Sequence, residues 1–328
     1  MAMQIRRTRT ADNPPTGLLP GQLSVEMRST PPRLWCGVDG DIDPSGRIEL
    51  GGGGASADMI GWELVFVDQA TITLRRRNGG HIKPNGKLLL IPETGWQLIL
   101  NTNRPGEITQ LGPNGMSYVS LNETVVGFVS LMLSPLAGAS HGPSPTPGNE
   151  GTEVIFVGGQ PANNQTLVGM VRGNANPGWF VDTERQRFVR SWFNDRGVSA
   201  FANLTADRVL PQNGVWLEVH TEIRNELLLW EGEKLWAQAA GTSVQGGSGQ
   251  ANYSAIGFDG TTPEPNAIAD YIATNQYMGF AAQALRALAE GYHYATLLGR
   301  TSGGAGTWGG TTQTVYGRCA LQSQTRRG

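Results

Sequence analysis

The chain has 328 residues, of which 16% are charged, and its net charge of −2 offers no basic field that could hold nucleic acid or an anionic membrane. It contains 46 glycines and 19 prolines, whereas runs of Ala, Leu, Glu and Lys at helical spacing are scarce. This composition predicts an all-β protein built from short strands and turns. The longest apolar run, residues 125–133, is well short of the ~20 residues that span a bilayer.

The N-terminal segment, residues 1–54, holds little that could build a core of its own. Proline and glycine are frequent, and apolar residues occur in only two short patches. Arg6, Arg7 and Arg9 are not followed by an apolar core, so a signal peptide is not predicted. Segments of this kind become ordered by lying on another surface. We therefore expect an extended anchoring segment, followed by a flexible joint of four glycines at residues 51–54.

Residues 55–150 are predicted to form a small β domain. Short apolar stretches, beginning at residues 62–67 and 71–77, alternate with turn signals such as Asn78-Gly79-Gly80. The loop at residues 141–151 is too rich in proline and glycine for regular structure, and it is the best internal boundary.

Residues 151–328 are predicted to form an antiparallel β-sandwich of jelly-roll type. Its clearest element is residues 215–224 (VWLEVHTEIR), whose strict alternation of apolar and polar residues predicts a half-buried strand. The stretch after it is predicted to be a hairpin that turns at residues 231–233. Residues 280–290 (FAAQALRALAE) fit a helix with a glycine C-cap or a strand, and both stay open.

Two motifs suggest metal binding, and both are incomplete. Asp39, Asp41 and Asp43 resemble a calcium loop, but Pro44 and Leu50 stand where that loop needs its glycine and glutamate. His220 and Glu222 form an H-x-E pair, but the P-C-x-x-C motif of zinc deaminases is missing. We interpret the second pair as the polar face of a strand. No metal or cofactor is predicted.

The remaining chemical signals are weak. Carboxylates for glycoside cleavage can be nominated at five positions, but no spacing selects a catalytic pair; they are Asp195, Glu218, Glu222, Glu226 and Asp259. Cys36 and Cys319 are far apart in the sequence and are predicted to be reduced thiols. Tryptophans crowd the second half, where most should be core or interface. Trp308, in a glycine-rich loop, and Trp179 are the candidates for contact with a glycan or receptor.

Several stretches resemble the virion proteins of tailed bacteriophages. Residues 5–27 (IRRTRTADNPPTGLLPGQLSVEM) and 32–38 (PPRLWCGV) resemble the N-terminal segment of phage fibre and appendage proteins. Residues 166–172, 180–194 and 290–300 are similar to other phage and prophage virion proteins. The resemblance implies that residues 1–50 dock on another virion protein, such as a portal, adaptor, tail or capsid protein. The candidate anchoring residues are Leu18, Leu19, Leu23, Arg33, Leu34 and Trp35.

The function implied is that of a non-enzymatic structural component of the virion. It would be a short fibre or appendage, a homotrimer whose sandwich attaches to a host-surface glycan or stabilises the particle. The alternatives are a polysaccharide-degrading tail spike, a capsid decoration protein and a carbohydrate-binding module of cellular origin. Neither nucleic acid nor membrane is an expected partner.

Overall fold

The all-β prediction is confirmed. The computed structural model describes residues 5–8, 23–26, 33–37, 47–52, 61–77, 80–82, 84, 89–100, 111–125, 128–145, 153–175, 178–195, 197–211, 214–245, 250–265, 269–272, 277–310 and 317–327. Apart from short 3₁₀ turns, the regular structure in these residues is β-strand. Among them, no helix combines the length and hydropathy needed to cross a membrane.

Four strands lie in the N-terminal segment: β1 (Ile5–Thr8), β2 (Leu23–Glu26), β3 (Arg33–Gly37) and β4 (Arg47–Gly52). β1 pairs with β2 in parallel, and β2–β3 and β3–β4 pair antiparallel. The predicted extended segment is therefore locally organised as a small sheet. Of the candidate anchoring residues, Leu23 lies in β2 and Arg33, Leu34 and Trp35 lie in β3, whereas Leu18 and Leu19 fall outside the described residues.

The first lobe is a sandwich. Its strands are β5 (Trp62–Asp68), β6 (Thr71–Arg76), β7 (His81–Ile82), β8 (Leu89–Leu90), β9 (Trp96–Ile99), β10 (Met116–Val125), β11 (Phe128–Pro135), β12 (Ala139–Pro143), β13 (Glu153–Val157) and β14 (Gln160–Arg172), with β16 (Val189–Ser191) after the short β15 (Gln186–Arg187). The sheet β5-β6-β9 packs against the sheet β11-β10-β14-β13-β12, in which β16 also pairs with β14. Strands from both sides of the expected boundary at residue 150 share this second sheet.

The second lobe is a larger sandwich. Its further elements are β17 (Ser199–Asn203), β18 (Arg208–Leu210), β19 (Leu217–Glu218), a 3₁₀ turn (Thr221–Ile223), β20 (Asn225–Leu229), β21 (Glu233–Gln245), β22 (Ala251–Phe258), β23 (Ala269–Ile272), β24 (Met278–Ala287), β25 (Gly291–Thr301), β26 (Gly306–Trp308) and β27 (Ala320–Arg327). One sheet, the β25 sheet, has the order β15-β20-β25-β22-β23, with β19 on β25. The other, the β21 sheet, has the order β17-β27-β21-β26-β18, with β24 on β21. A sandwich in the C-terminal part of the chain is confirmed, although β13, β14 and β16, which lie inside the predicted range 151–328, belong to the first lobe, and β15 pairs with β20 in parallel.

The hairpin predicted at residues 231–233 is wrong. A turn does form at Glu231 and Gly232, and Gly232 has a positive φ of 79°. However, β20 belongs to the β25 sheet and β21 to the β21 sheet. Both strands bury apolar side chains in the same core, so the chain crosses the sandwich here and does not fold back beside itself.

The strand predicted at residues 215–224 is wrong over most of its length. Only Leu217–Glu218 pairs, and Thr221–Ile223 forms a 3₁₀ turn, capped by His220 Nδ1, which accepts a hydrogen bond from the Glu222 amide. Val219 and Ile223 are buried, but Val215 is 55% exposed, so the alternation predicts burial for only part of this stretch. Residues 280–290, whose sequence fits both a helix and a strand, fall largely in β24. This strand pairs along ten positions of β21, and its pairing overrides helix propensity.

Candidate functional site

The two lobes share an apolar contact, and this junction is the candidate functional site. Ile155, Leu167 and Met170 from the first lobe pack with Leu228 and Trp230 from the second, and all are 2% exposed or less. Trp192 meets Trp230 edge to face, with 4.8 Å between ring centroids. The lobes are therefore joined through a small core of their own.

Arg190 carries a buried charge across the junction. It lies in β16 of the first lobe and is 1% exposed. Its Nε donates to Asp195 Oδ2 at 2.7 Å and its Nη2 to Glu233 Oε1 at 3.0 Å, while Nη1 also donates to the Leu228 carbonyl. Glu233, at the start of β21, also accepts from the Trp230 amide at 3.0 Å. Both carboxylates are buried with Arg190, and the Arg190–Glu233 ion pair forms only while the lobes stay together.

His141 forms a second polar link between the lobes. Its Nδ1 lies 3.3 Å from Glu153 Oε2 in the first lobe, and its Nε2 lies 2.9 Å from Glu290 Oε2 in the second. The Tyr118 hydroxyl donates to Glu290 Oε1 at 2.5 Å, and the Glu231 amide donates to Glu290 Oε2 at 3.1 Å. Glu290 is therefore held by both lobes at once.

The protonation of this His141 cluster follows from its contacts. Burial lowers the pKa of His141, but the hydrogen bonds to Glu153 and Glu290 outweigh it and raise the pKa to about 9. Burial raises the pKa of Glu290, but hydrogen bonds from His141 and Tyr118 bring it below its usual value. At neutral pH the imidazole therefore keeps its proton between two carboxylates. It acts there as an ion-pair partner of Glu153 and Glu290.

A third link is built around Arg172 at the end of β14. Its guanidinium carbon lies 3.6 Å from the centroid of the Tyr292 ring and 4.8 Å from that of Phe188. The Tyr292 hydroxyl donates to Glu226 Oε1 at 2.6 Å, and this oxygen is 3.9 Å from Arg172 Nη1. Tyr292 and Glu226 belong to the second lobe, so this cluster also spans the junction.

The five carboxylates nominated from the sequence are all engaged in hydrogen bonds. Their partners are Arg190 for Asp195, Arg224 for Glu218, Arg208 for Glu222, Tyr292 and Gln186 for Glu226, and His293 for Asp259. Each pair is closed by short contacts, such as 2.5 Å between Arg224 Nε and Glu218 Oε1. The arrangement is that of separate ion pairs and hydrogen bonds, each with a structural explanation.

Ionisable side chains line several cavities in the described part of the chain. One, of about 330 Å³, is lined by members of the His141 cluster, including Tyr118 and Glu290. A second, of about 420 Å³, is lined by Glu184, Arg185 and Glu222. A third, of about 560 Å³, lies in the first lobe and exposes Arg77 and Arg187. Arg77 pairs with Glu63 at 2.5 Å and Arg187 with Asp182 at 2.9 Å. In the first and third of these cavities, the charged side chains His141, Glu290, Arg77 and Arg187 are all paired with neighbouring groups.

Only one of the two incomplete metal motifs lies in the described part of the chain. His220 and Glu222 lie within one tight turn, 3.4 Å apart, and not along a strand face. Asp39, Asp41 and Asp43 fall outside the described residues. Within the described ranges, no group of three or more His, Cys, Asp or Glu side chains is arranged to hold a metal ion.

Trp308, proposed as a glycan contact, is wrong for that role. It is 0% exposed and packs in the core of the second lobe, where its indole donates to Ser254 Oγ at 3.0 Å. The surrounding glycines allow this packing, because a side chain on Gly299 would overlap the Trp308 ring. Trp179 is half-buried against the core of the first lobe. Cys319 is a buried thiol whose pKa is raised to about 12 by burial.

No sequence motif predicts one cluster of half-buried aromatic side chains on the β25 sheet. The Arg300 guanidinium carbon lies 4.1 Å from the Tyr253 ring centroid and 5.2 Å from that of Trp216. In the sequence, Trp216 is only one of several tryptophans in the second half. Its partners come from strands that are distant along the chain, so no local motif marks the group.

Comparisons with known proteins give only distant likenesses. No family model and no curated protein matches the sequence. Among solved structures, the infectious bursal disease virus Gx strain matches with 12% identity over 81% of this chain and 77% of that chain, at a TM-score of 0.27. The Gt strain of that virus gives 11% identity over 82% and 76%, at 0.26. An exo-β-1,3-galactanase from Phanerochaete chrysosporium gives 10% identity over 93% and 68%, at 0.18. Scores this low support no functional conclusion.

Proposed function

We propose that the chain is a non-enzymatic structural component of a tailed-phage particle. Residues 1–50 anchor it to another virion protein, and the two β lobes form a rigid body for host-surface attachment or particle stabilisation. The observation that carries the proposal is the junction, where an apolar core and the clusters of Arg190, His141 and Arg172 fix one lobe on the other. A rigid two-lobed body suits a part that transmits force or fills a lattice.

The electrostatics support a non-enzymatic role. Each carboxylate considered for glycoside cleavage is tied to a cation or a hydrogen-bond donor, which disfavours a free general acid or nucleophile. The resemblance of residues 5–27 and 32–38 to phage appendage proteins supplies the virion context. We propose a homotrimer, located in the virion, with a host-surface glycan as a candidate ligand of Trp179.

The anchoring role is tested by deleting residues 1–54 in the phage that encodes the protein. We expect the truncated chain to remain folded and to be missing from purified particles, as measured by quantitative mass spectrometry. Trp35→Ala in β3 should reduce incorporation, whereas Gln97→Glu, an exposed change on β9, should not.

Normal incorporation of the truncated chain would refute the anchor. The non-enzymatic role has a separate test, because purified protein incubated with host capsular polysaccharide or lipopolysaccharide should leave the chain length unchanged. Shortened chains would favour the tail-spike alternative.

A further inference from the structure

Two aromatic rings hold the Arg300 guanidinium on the β25 sheet. Its central carbon lies 4.1 Å from the centroid of the Tyr253 ring and 5.2 Å from that of Trp216. Tyr253 stands opposite Arg300 in the register of β22 and β25, and Trp216 directly precedes β19, which also pairs with β25. All three side chains are half-buried, and we call them the Arg300 cluster.

Two other arginines contact tyrosine rings of this sheet, and a carboxylate accompanies each of them. The Arg224 guanidinium carbon lies 4.5 Å from the centroid of Tyr294, and Arg224 pairs with Glu218. Arg172 lies over the ring of Tyr292, with a carboxylate oxygen of the second lobe 3.9 Å from its Nη1. A complete contact of this type on the β25 sheet therefore consists of a guanidinium, an aromatic ring and a carboxylate.

The carboxylate is the part that the Arg300 cluster lacks among the described residues. Arg300 makes no hydrogen bond or ion pair with any of them. Glu218, on neighbouring β19, is already held by Nε and Nη2 of Arg224 at 2.5 Å and 2.6 Å. In register, Asp270 of β23 is two strand spacings from Arg300, or about 10 Å between the backbones. Within the described part of the chain, the charge of Arg300 is left without a counter-ion.

The rings of the cluster also keep polar groups available. The Tyr253 hydroxyl and the Trp216 indole nitrogen have no hydrogen-bond partner among the residues that the structure describes, whereas the buried Trp308 indole donates to Ser254. Stacking on aromatic rings fixes the plane of a guanidinium, and a fixed guanidinium can bind a carboxylate through two parallel hydrogen bonds. The cluster therefore presents a preorganised fork beside a hydroxyl and an indole N–H.

We propose that the Arg300 cluster binds a carboxylate-bearing sugar, of the hexuronic or sialic acid class, in a host-surface polysaccharide. The sugar carboxylate takes the place at Arg300 that Glu218 takes at Arg224. Sugar hydroxyls hydrogen-bond to Tyr253 and Trp216. The assignment of the sugar to a host surface rests on the proposed attachment function.

The position and charge of the cluster favour a saccharide over an acidic peptide or a nucleic acid. Arg300 and Tyr253 lie on β25 and β22, each of which pairs with a strand on both sides, so they offer no free edge to an extended peptide. One unpaired cation matches a single carboxylate, whereas a phosphate backbone is bound by several cations. Aromatic rings with polar tips suit a ligand that carries both C–H and O–H groups.

The experiment is saturation-transfer NMR on the purified full-length chain with three probes: sodium galacturonate, sodium glucuronate and sodium N-acetylneuraminate. We expect at least one of them to bind with a dissociation constant on the order of 1 mM. The methyl ester of the same sugar has no charge and should bind at least about tenfold more weakly. This comparison uses the wild-type chain, so it does not depend on the folding of a variant.

Substitutions place the binding at Arg300. Arg300→Gln should raise the dissociation constant at least about tenfold, and Arg300→Lys should restore only part of the binding, because an ammonium group cannot form the fork. Arg326→Gln is the matched control, since Arg326 is exposed and contacts a single ring, that of Trp236, at 5.0 Å. It removes the same charge and should leave the constant unchanged. Circular dichroism would confirm that each variant is folded.

Four results would overturn the proposal: no binding of any of the three acids, equal binding of an acid and its methyl ester, an unchanged constant in Arg300→Gln, or tighter binding of a triglutamate peptide than of the sugar acids. The measurements need no particle, so they are independent of the deletion of residues 1–54. A chain that binds none of the probes, but needs those residues to enter particles, would keep the structural role and lose only this ligand.

Discussion

At the scale of single residues, His141 shows how the junction depends on protonation. Its pKa of about 9 in the folded chain lies above the 6.5 of an ordinary histidine, because Glu153 and Glu290 hold the proton. A group whose pKa is raised by folding contributes stability that is fully present below pH 6.5 and is lost as pH rises through 9. Glu290, whose pKa is lowered by folding, contributes stability at pH values above its ordinary pKa. This stability is lost as the solution becomes acidic.

We therefore expect the free energy of unfolding to fall between pH 6.5 and 10 by an amount on the order of 3 kcal/mol that depends on His141. His141→Gln should lower the stability at pH 6.5 and flatten the profile over this range, as measured by urea denaturation. The control is His293→Gln, because the His293 ring pairs with Asp259 away from the junction. This variant keeps His141 and should still lose stability at alkaline pH. An unchanged alkaline loss in His141→Gln would contradict this assignment.

The role of His141 could not be predicted from the sequence. The residue stands at the start of a proline-rich stretch, and Glu290 ends a segment that fits both a helix and a strand. They meet because β12 and the turn after β24 approach each other, across 149 residues of sequence. The same holds for Arg190 and Glu233. Such pairs carry no local pattern, whereas the carboxylates nominated from the sequence are ordinary ion pairs and hydrogen-bond acceptors.

At the scale of elements, Gly169 shows how closely two strands can be brought together. It lies in β14 opposite Ser191 of β16, and a Cβ built there would overlap the Arg190 carbonyl oxygen and Leu64 Cδ2. The missing side chain lets the strand carrying Arg190 lie against both β14 and β5.

We expect Gly169→Ala to destabilise the chain by about 1–3 kcal/mol, since one of the two contacts is with backbone that cannot move aside. Gly260→Ala is the matched control, because no atom lies within 4 Å of the position that its Cβ would take, and the cost should stay below about 0.5 kcal/mol. Thermal denaturation of both variants provides the measurement. Equal stability of the two variants would show that β16 can shift.

Element type was more predictable than element partner. The composition indicated strands throughout, and within residues 215–224 Val219 and Ile223 are buried as the alternation predicted, whereas Val215 is 55% exposed. What the pattern could not show was that the turn at Thr221–Ile223 would interrupt the strand, or that β20 and β21 would lie in opposite sheets. Both depend on contacts with residues far along the chain, such as Leu297, whose backbone carbonyl accepts a hydrogen bond from the Val219 amide at 3.0 Å.

At the scale of the whole molecule, the junction should make the two lobes unfold as one unit. Trp230 is 2% exposed and contacts both Trp192 and the His141 ring. Its backbone amide also donates to Glu233, the partner of Arg190. Removing this side chain weakens the apolar contact beside both polar links.

We expect Trp230→Ala to cost about 3–5 kcal/mol and to split a single calorimetric transition into two. Trp308→Ala removes an equally buried ring inside the second lobe, so it should lower the transition temperature of that lobe through a cavity of its own while the junction remains intact. Differential scanning calorimetry distinguishes the two cases. A single transition in Trp230→Ala would mean that the polar links suffice to couple the lobes.

The position of β27 has a consequence for biosynthesis. This strand lies between β17 and β21 in its sheet, yet it is made after every other strand that the structure describes. During translation, β17 is synthesised long before β27, the strand that it pairs with. The sheet that contains both strands can therefore be completed only after Arg327 has been synthesised. A chain that stops before Ala320 lacks β27, so β17 and β21 are left with unpaired backbone groups in the middle of the sheet, and such open edges favour aggregation.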